Sequence, residues 1–183
     1  LLALCVTASM LICPAGAVSV GFSDVADPET ARAAEVLRLM GVMEGYADGT
    51  LRPDVTLTRA QFCKMVIAAN GAEKDLALYG STTVFPDVRP SHWAASYINL
   101  AAKEKKIISG YADGTFRPEG TVTLGHAAAI LLRLLGYKDT DIGGIWPDGY
   151  LALADEAGMA KGLSLGGGAA ITRAQAAKLF VIA

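Results

Sequence analysis

The sequence predicts an all-α fold, three helix–loop–helix units forming a pseudo-threefold helical bundle. Three observations predict it. First, the phrase Gly45-Tyr46-Ala47-Asp48-Gly49-Thr50-Leu51-Arg52-Pro53 returns 65 positions later at Gly110 to Pro118, altered only by Phe116 in place of Leu51. Second, two shorter elements recur around it. Phe22-Ser23-Asp24-Val25 returns as Phe85-Pro86-Asp87-Val88 and, degraded, as Ile145-Trp146-Pro147-Asp148. Leu57-Thr58-Arg59-Ala60-Gln61 returns as Ile171-Thr172-Arg173-Ala174-Gln175, and in drifted form as Val122-Thr123-Leu124-Gly125-His126. Third, the residues at +4, +7, +8 and +11 from Thr58, Thr123 and Thr172 are apolar in all three copies. Repeated units that each carry one apolar helix face bury it only against one another.

The units span residues 21–80, 81–140 and 141–183, and each is justified locally. In the first, Asp27 caps a helix with Pro28 at its first position, and Ala33, Val36, Leu37 and Met40 form its apolar stripe. In the second, Ser91 caps and Ala94, Tyr97, Ile98 and Ala101 form the stripe, with Lys103 to Lys106 favouring the helix C-terminus. Asp48-Gly49 and Asp113-Gly114 are turn signals, and Arg52-Pro53 and Arg117-Pro118 leave the turn in an extended conformation. The second helix of the outer units opens on a capping box, Thr58 with Gln61 and Thr172 with Gln175. Residues 70–83 and 137–144 read as linkers. The third unit is short, 24 residues from Asp148 to Thr172 against 34 and 36 in the others, and its turn is replaced by Gly162 to Gly168.

Residues 1–17 read as a secretory leader lacking its basic start, with Ala15-Gly16-Ala17 as the cleavage signal, so that the exported chain begins near Val18. The apolar run is too short to span a bilayer, which takes about 20 residues, and no membrane insertion is expected after cleavage. A C-terminus inside an apolar helical pattern suggests further domains beyond Ala183. Cys63 is the one cysteine outside the leader and reads as a small core residue. A net charge of -2 disfavours nucleic acid as a partner. No paired acids, nucleophile–base pair or metal set stands out, so neither an enzyme, a cofactor nor a metal site is expected. His92 and His126 lack companions at ligand spacing, and the Asp-Gly turns are too poor in oxygen ligands for calcium.

Together, the Phe-x-Asp-Val opening, the Gly-Tyr-x-Asp-Gly-Thr-x-Arg-Pro turn and the Thr-Arg-Ala-Gln helix start resemble the S-layer homology (SLH) repeat, over about residues 21–183. The resemblance implies a module that anchors surface proteins to the bacterial cell wall. Its partner would be a secondary cell wall polymer, a peptidoglycan-linked polysaccharide often ending in pyruvylated N-acetylmannosamine, bound in grooves between three repeats. It also implies ligand contacts for Arg59 and Arg173, sugar or structural contacts for Asp24, Asp87, Asp148, Gly45 and Gly110, and an aromatic platform in Trp93.

The residue chemistry agrees with an acidic sugar. A helix N-terminus offers free N–H groups and partial positive charge, and arginine adds a bidentate donor. Each assignment has a plain structural counterpart: a solvated Arg59, capping aspartates, a core Trp93. The departures matter as well. Gln61 and Gln175 stand where the family carries glutamate, and the second unit has Leu124 for arginine and His126 for glutamate. One or two of three grooves are therefore expected to work. Arg59→Ala is expected to cost affinity without unfolding, and Leu124→Arg to restore a groove. The rival reading is a structural or protein–protein module of the cell surface without glycan affinity; an enzyme domain would have to lie outside this chain.

Overall fold

The helix starts lie where capping chemistry puts them. In the computed structural model, which describes residues 21–81, 83–160, 163 and 165–182, Thr58 accepts the Gln61 amide and Gln61 Oε1 accepts the Thr58 amide, closing the expected box at the head of α2 (Arg59–Ala69). Thr172 and Gln175 do the same for α6 (Arg173–Ile182). Thr123 caps α4 (Leu124–Leu134). Asp27 caps α1 (Pro28–Leu39) through the Thr30 amide. The first helices of the later units are α3 (Ala95–Asn99) and α5 (Asp148–Glu156). The described residues are otherwise turns, short helical pieces and three isolated bridges, so the fold is all-α. No described helix is long and apolar enough to cross a membrane. The leader and its cleavage signal lie outside the described residues.

Three residues just ahead of the capping threonines, Leu57, Val122 and Ile171, tie the units into a ring. Leu57 donates its amide to the Ile171 carbonyl at 3.2 Å, Ile171 to Val122 at 3.0 Å, and Val122 to Leu57 at 3.0 Å. All three are almost fully buried, so the ring of bonds closes inside the core. Each second helix then packs its apolar face inward. Phe62, Ile130 and Leu179 share one connected core, and the rings of Phe62 and Phe180 approach to 5.2 Å.

Helices pair across the sequence units. α3 packs on α2, α5 on α4, and α1 closes the ring against α6. Lys178 on α6 reinforces that closure, with ion pairs to Asp27 at 2.8 Å and Glu29 at 3.3 Å. Each pillar of the bundle is therefore built by two successive units, so no unit completes its core alone.

Four local expectations need correction. The buried face of α1 is Thr30, Ala33, Ala34 and Leu37, while Val36 and Met40 are 38% and 60% exposed. Two adjacent alanines let α1 sit close to α6, and the register follows them. Ser91 does not cap α3. That helix starts at Ala95, after a turn in which Ala94 donates to His92 Nδ1, and continues as a π-helical turn over Leu100–Glu104. Within residues 70–83, Glu73–Tyr79 forms a 3-10 helix, and the Tyr79 carbonyl accepts from buried Asn99. Finally, Arg52 and Arg117 are not extended: their φ values are 55° and 56°. A left-handed backbone costs a non-glycine residue about 1–2 kcal/mol. In the first two units, two bonds to the opening aspartate hold it in place. Asp24 accepts the Leu51 and Arg52 amides at 2.7 Å each, and Asp87 accepts the Phe116 and Arg117 amides at 2.8 and 2.6 Å.

Candidate functional site

Two grooves are built to one plan. Each has an arginine in its floor, and that arginine comes from the neighbouring unit. Arg59 opens α2 of the first unit, yet its guanidinium lies under the turn of the second. Nε donates to the Phe116 carbonyl at 2.8 Å and Nη2 to the Ser109 carbonyl at 3.2 Å. Arg173 opens α6 of the third unit and grips the turn of the first, with Nε to Leu51 and Nη2 to Glu44, both at 2.6 Å. Each lies near the face of the turn tyrosine, Arg59 at 4.7 Å from Tyr111 and Arg173 at 5.2 Å from Tyr46. The same tyrosines carry the turn arginine, Arg117 at 4.2 Å and Arg52 at 3.8 Å.

The first groove, of about 260 Å³, brings Arg173 and Gly45 together with Trp93, Gln61 and Lys64. The second, of about 350 Å³, brings Arg59 and Gly110 together with His126, Arg133 and Trp146. These volumes lie near the lower end for small-molecule sites, suiting a sugar residue or two more than a long stretch of polymer. Trp93 and Trp146 are about half exposed at the rims, where an aromatic face can take the apolar side of a sugar ring.

The electrostatics are unusual. Arg59 and Arg173 are only 4% and 9% exposed. Burial lowers the pKa of each, but an arginine in a protein stays charged. Among the described residues neither has a carboxylate within ion-pair distance, and Nη1 of each has no hydrogen-bond partner. Two nearly buried cations are thus held by carbonyls and ring faces, with Asp87 and Asp24 acting on them only from beyond ion-pair distance.

The structure separates the residues singled out in the sequence. Arg59, Arg173, Gly45, Gly110 and Trp93 line grooves. Asp24, Asp87 and Asp148 line neither. The first two hold the turns, and the third opens α5. Gly45 and Gly110 also have a steric reason. A Cβ on Gly45 would collide with the Phe22 ring and lie 3.0 Å from the Thr50 carbonyl, and one on Gly110 would lie 2.6 Å from the Phe85 ring. The helix N-termini are not free either. Arg59 and Ala60 donate their amides to the carbonyls of Gly120 and Pro118, and Arg173 and Ala174 donate to Val55 and Pro53. With the third amide capped by threonine, the positive charge on offer belongs to the guanidinium, not to the helix end.

The sequence reading missed Trp146 and His126 as groove residues. Trp146 stands at the phenylalanine position of a degraded motif, two residues before Asp148 as Phe22 and Phe85 are before Asp24 and Asp87, and His126 looked isolated until the fold placed it 5.6 Å from the Tyr111 ring and 5.5 Å from the Trp146 ring.

The ring also explains why two losses occur together. By the pattern of Arg59 and Arg173, the residue at position 124 would grip the turn of the third unit. That unit lacks the turn motif, and position 124 is a buried leucine whose amide bonds Ala169. Lys178, which corresponds to the groove residue Lys64, is engaged by Asp27 and Glu29. The drifted helix start of the second unit and the shortened third unit are one altered interface.

Residues 22–63 and 84–128 match the family model described as S-layer homology domain. The chain is 34% identical over 128 residues to a surface layer protein of Brevibacillus choshinensis, covering 70% of this chain and 11% of that one. It is 37% identical over 153 residues to a cell surface protein of Thermoanaerobacter kivui, covering 81% of this chain and 19% of the other. A cellulosome-anchoring protein of Acetivibrio thermocellus is 32% identical over 93 residues, or 51% of this chain and 21% of its own length. The chain thus spans about a fifth or less of these relatives.

Proposed function

The first two units, matched at residues 22–63 and 84–128, belong to the S-layer homology domain family, and from that premise we propose that the chain is a non-covalent anchoring module of the bacterial cell surface. Its partner is an anionic secondary cell wall polysaccharide, held by acidic sugar residues in the grooves under Tyr46 and Tyr111. The observation that carries this reading is the pair of nearly buried arginines, Arg59 and Arg173, with no carboxylate within ion-pair distance among the described residues. A buried cation without a counter-ion is costly, by several kcal/mol after relaxation. A carboxylate entering beside Nη1 would complete each site with a charge-assisted bond. A pyruvate ketal on a sugar presents such a carboxylate next to a ring that Trp93 or Trp146 can stack against. The names of the relatives, a surface layer protein and a cellulosome-anchoring protein among them, agree with attachment at the cell surface.

The test is co-sedimentation with purified cell walls, before and after chemical removal of the secondary polymer. Binding should disappear with the polymer, and a Trp93→Ala/Trp146→Ala double variant should bind weakly while remaining folded by circular dichroism. Equal sedimentation with stripped walls would favour a structural or protein–protein role instead.

A further inference from the structure

The two grooves differ at one position that the repeat makes comparable. Three residues past the capping threonine, the first groove has Gln61 and the second has His126. Gln61 is spent on the helix cap, its Oε1 accepting the Thr58 amide. His126 meets Thr123 through Nδ1, 2.8 Å from the hydroxyl, which leaves Nε2 without a partner among the described residues. The imidazole lines the same cavity as Arg59, with Tyr111 and Trp146 on either side of it.

Resting on the anionic-ligand reading above, we propose that the second groove is a distinct subsite in which His126 supplies a second cationic donor beside Arg59, so that it selects acidic sugars more strongly as the medium becomes acidic. The first groove has no such response at this position.

The charged and titratable groups around the ring support this. Arg59 faces it from α2, Arg133 lines the cavity from α4, and Tyr111 faces it from the turn. Tyr150 of α5 lies behind Trp146. Arg133 is neutralised by Asp139 at 2.7 Å, and Arg117, above Tyr111, by Asp113 at 2.7 Å. No carboxylate lines the cavity among the described residues. Burial, and then the Arg59 charge, hold the His126 pKa below its ordinary value, so the empty groove keeps the imidazole neutral at neutral pH. A bound anion offsets the Arg59 field and pairs with the imidazolium, raising that pKa. By linkage, affinity must then rise as pH falls.

The variants are fold-compatible by design. His126→Gln installs the residue that the other two units carry there, and Gln61→His moves the histidine into the first groove. The probe is the methyl glycoside of 4,6-pyruvate-ketal N-acetylmannosamine, with the unmodified glycoside and glycerol 1-phosphate as parallel arms. The readouts are calorimetric affinity and proton NMR titration of the histidine ring. The chain has two histidines, so the His126 signal is the one that His126→Gln removes.

The parent should bind the ketal about tenfold more tightly at pH 5 than at pH 7.5 through one added charge-assisted bond. Saturation should move the His126 titration upward, and the unmodified glycoside should not. His126→Gln should lose this pH dependence, and Gln61→His should create it in the first groove. A response to glycerol 1-phosphate equal to that of the ketal supports the subsite and makes phosphate its natural anion. Ketal binding with the His126 titration unmoved overturns the proposal and leaves the anchoring reading intact. If neither charged probe binds in either groove, both fall.

Discussion

Arg173 donates its Nε–H to the carbonyl of Leu51 at 2.6 Å, across 122 positions of chain. The bond joins the start of the last helix to the first unit's turn, and the Arg59 bond to Phe116 repeats it one unit on. These arginines are therefore staples as well as groove floors. Each side chain holds one buried and one part-buried carbonyl, and removing it leaves the buried one unpaired, at about 1–3 kcal/mol.

Arg59→Lys and Arg173→Lys test the staple without removing charge. Lysine lacks the planar fork that spans two carbonyls. Each variant should lose about 1–3 kcal/mol of stability by urea unfolding. By the same geometry Arg59→Ala should cost stability as well as affinity, while the domain stays folded. A lysine variant with parental stability would mean that the two carbonyl bonds contribute little.

Gly45→Ala separates a steric from a ligand-binding role. The new methyl would overlap the Phe22 ring and crowd the Thr50 carbonyl. Overpacking of this kind costs about 1–3 kcal/mol. A lowered thermal midpoint is expected, partly restored when Phe22 is also changed to Leu. Gly110→Ala with Phe85→Leu should behave alike.

Much of this was legible in the sequence because it is local. Thr58 and Gln61 meet within one turn, and the Phe62, Met65, Val66 stripe is fixed by helix geometry alone. The repeated turn phrase gave the loops. What was hidden is long-range. Nothing in the neighbourhood of Arg59 says that it serves the turn at Phe116, because that depends on how the ring closes. The same holds for the helix ends, whose amides looked free until the following unit's carbonyls were seated on them. The α1 register was misread because Val36 and Met40 are more apolar than the alanines that make the contact. His126 and Trp146 are far apart in the chain and meet only in the second groove.

Acid should weaken the module through its turn and cap aspartates. Burial raises the Asp24 pKa, but its two backbone bonds outweigh this and hold it below the ordinary value. Bonds from Thr50 and Arg52 hold Asp48 at about 2. Asp27 is lowered, first by Lys178 and then by Thr30. Groups with depressed native pKa values stabilise the fold above their unfolded values, and that contribution disappears as pH falls through the native ones. The urea midpoint should therefore hold from neutrality to about pH 4 and fall between about pH 4 and pH 2. Asp24→Asn should flatten part of that decline and lower the plateau, since an amide is a weaker acceptor for the left-handed turn at Arg52. A midpoint that stays flat to pH 2 would show that these carboxylates do not stabilise the fold.

Leu124→Arg is the sharpest test of the ring. Read by repeats alone, it restores the missing arginine and with it a third groove. Read by the structure, it places a guanidinium at a site that is 2% exposed. The turn motif whose carbonyls would receive it is absent from the third unit. The adjacent backbone has no room to move, because Gly125 packs with Pro147 and the Gly167 carbonyl so closely that a Cβ there would lie 2.8 Å and 3.1 Å from them. Lys178, the other cation of that interface, is already paired with Asp27 and Glu29. A buried charge without partners costs about 3–5 kcal/mol. Leu124→Arg should therefore lower stability by roughly that amount and add no binding site, read as unchanged stoichiometry in calorimetry with the ketal glycoside. Leu124→Met, of similar volume, should cost less than about 1.5 kcal/mol. A stable Leu124→Arg protein with one more site than the parent would mean that the third unit can still build a turn, and that the two losses are independent.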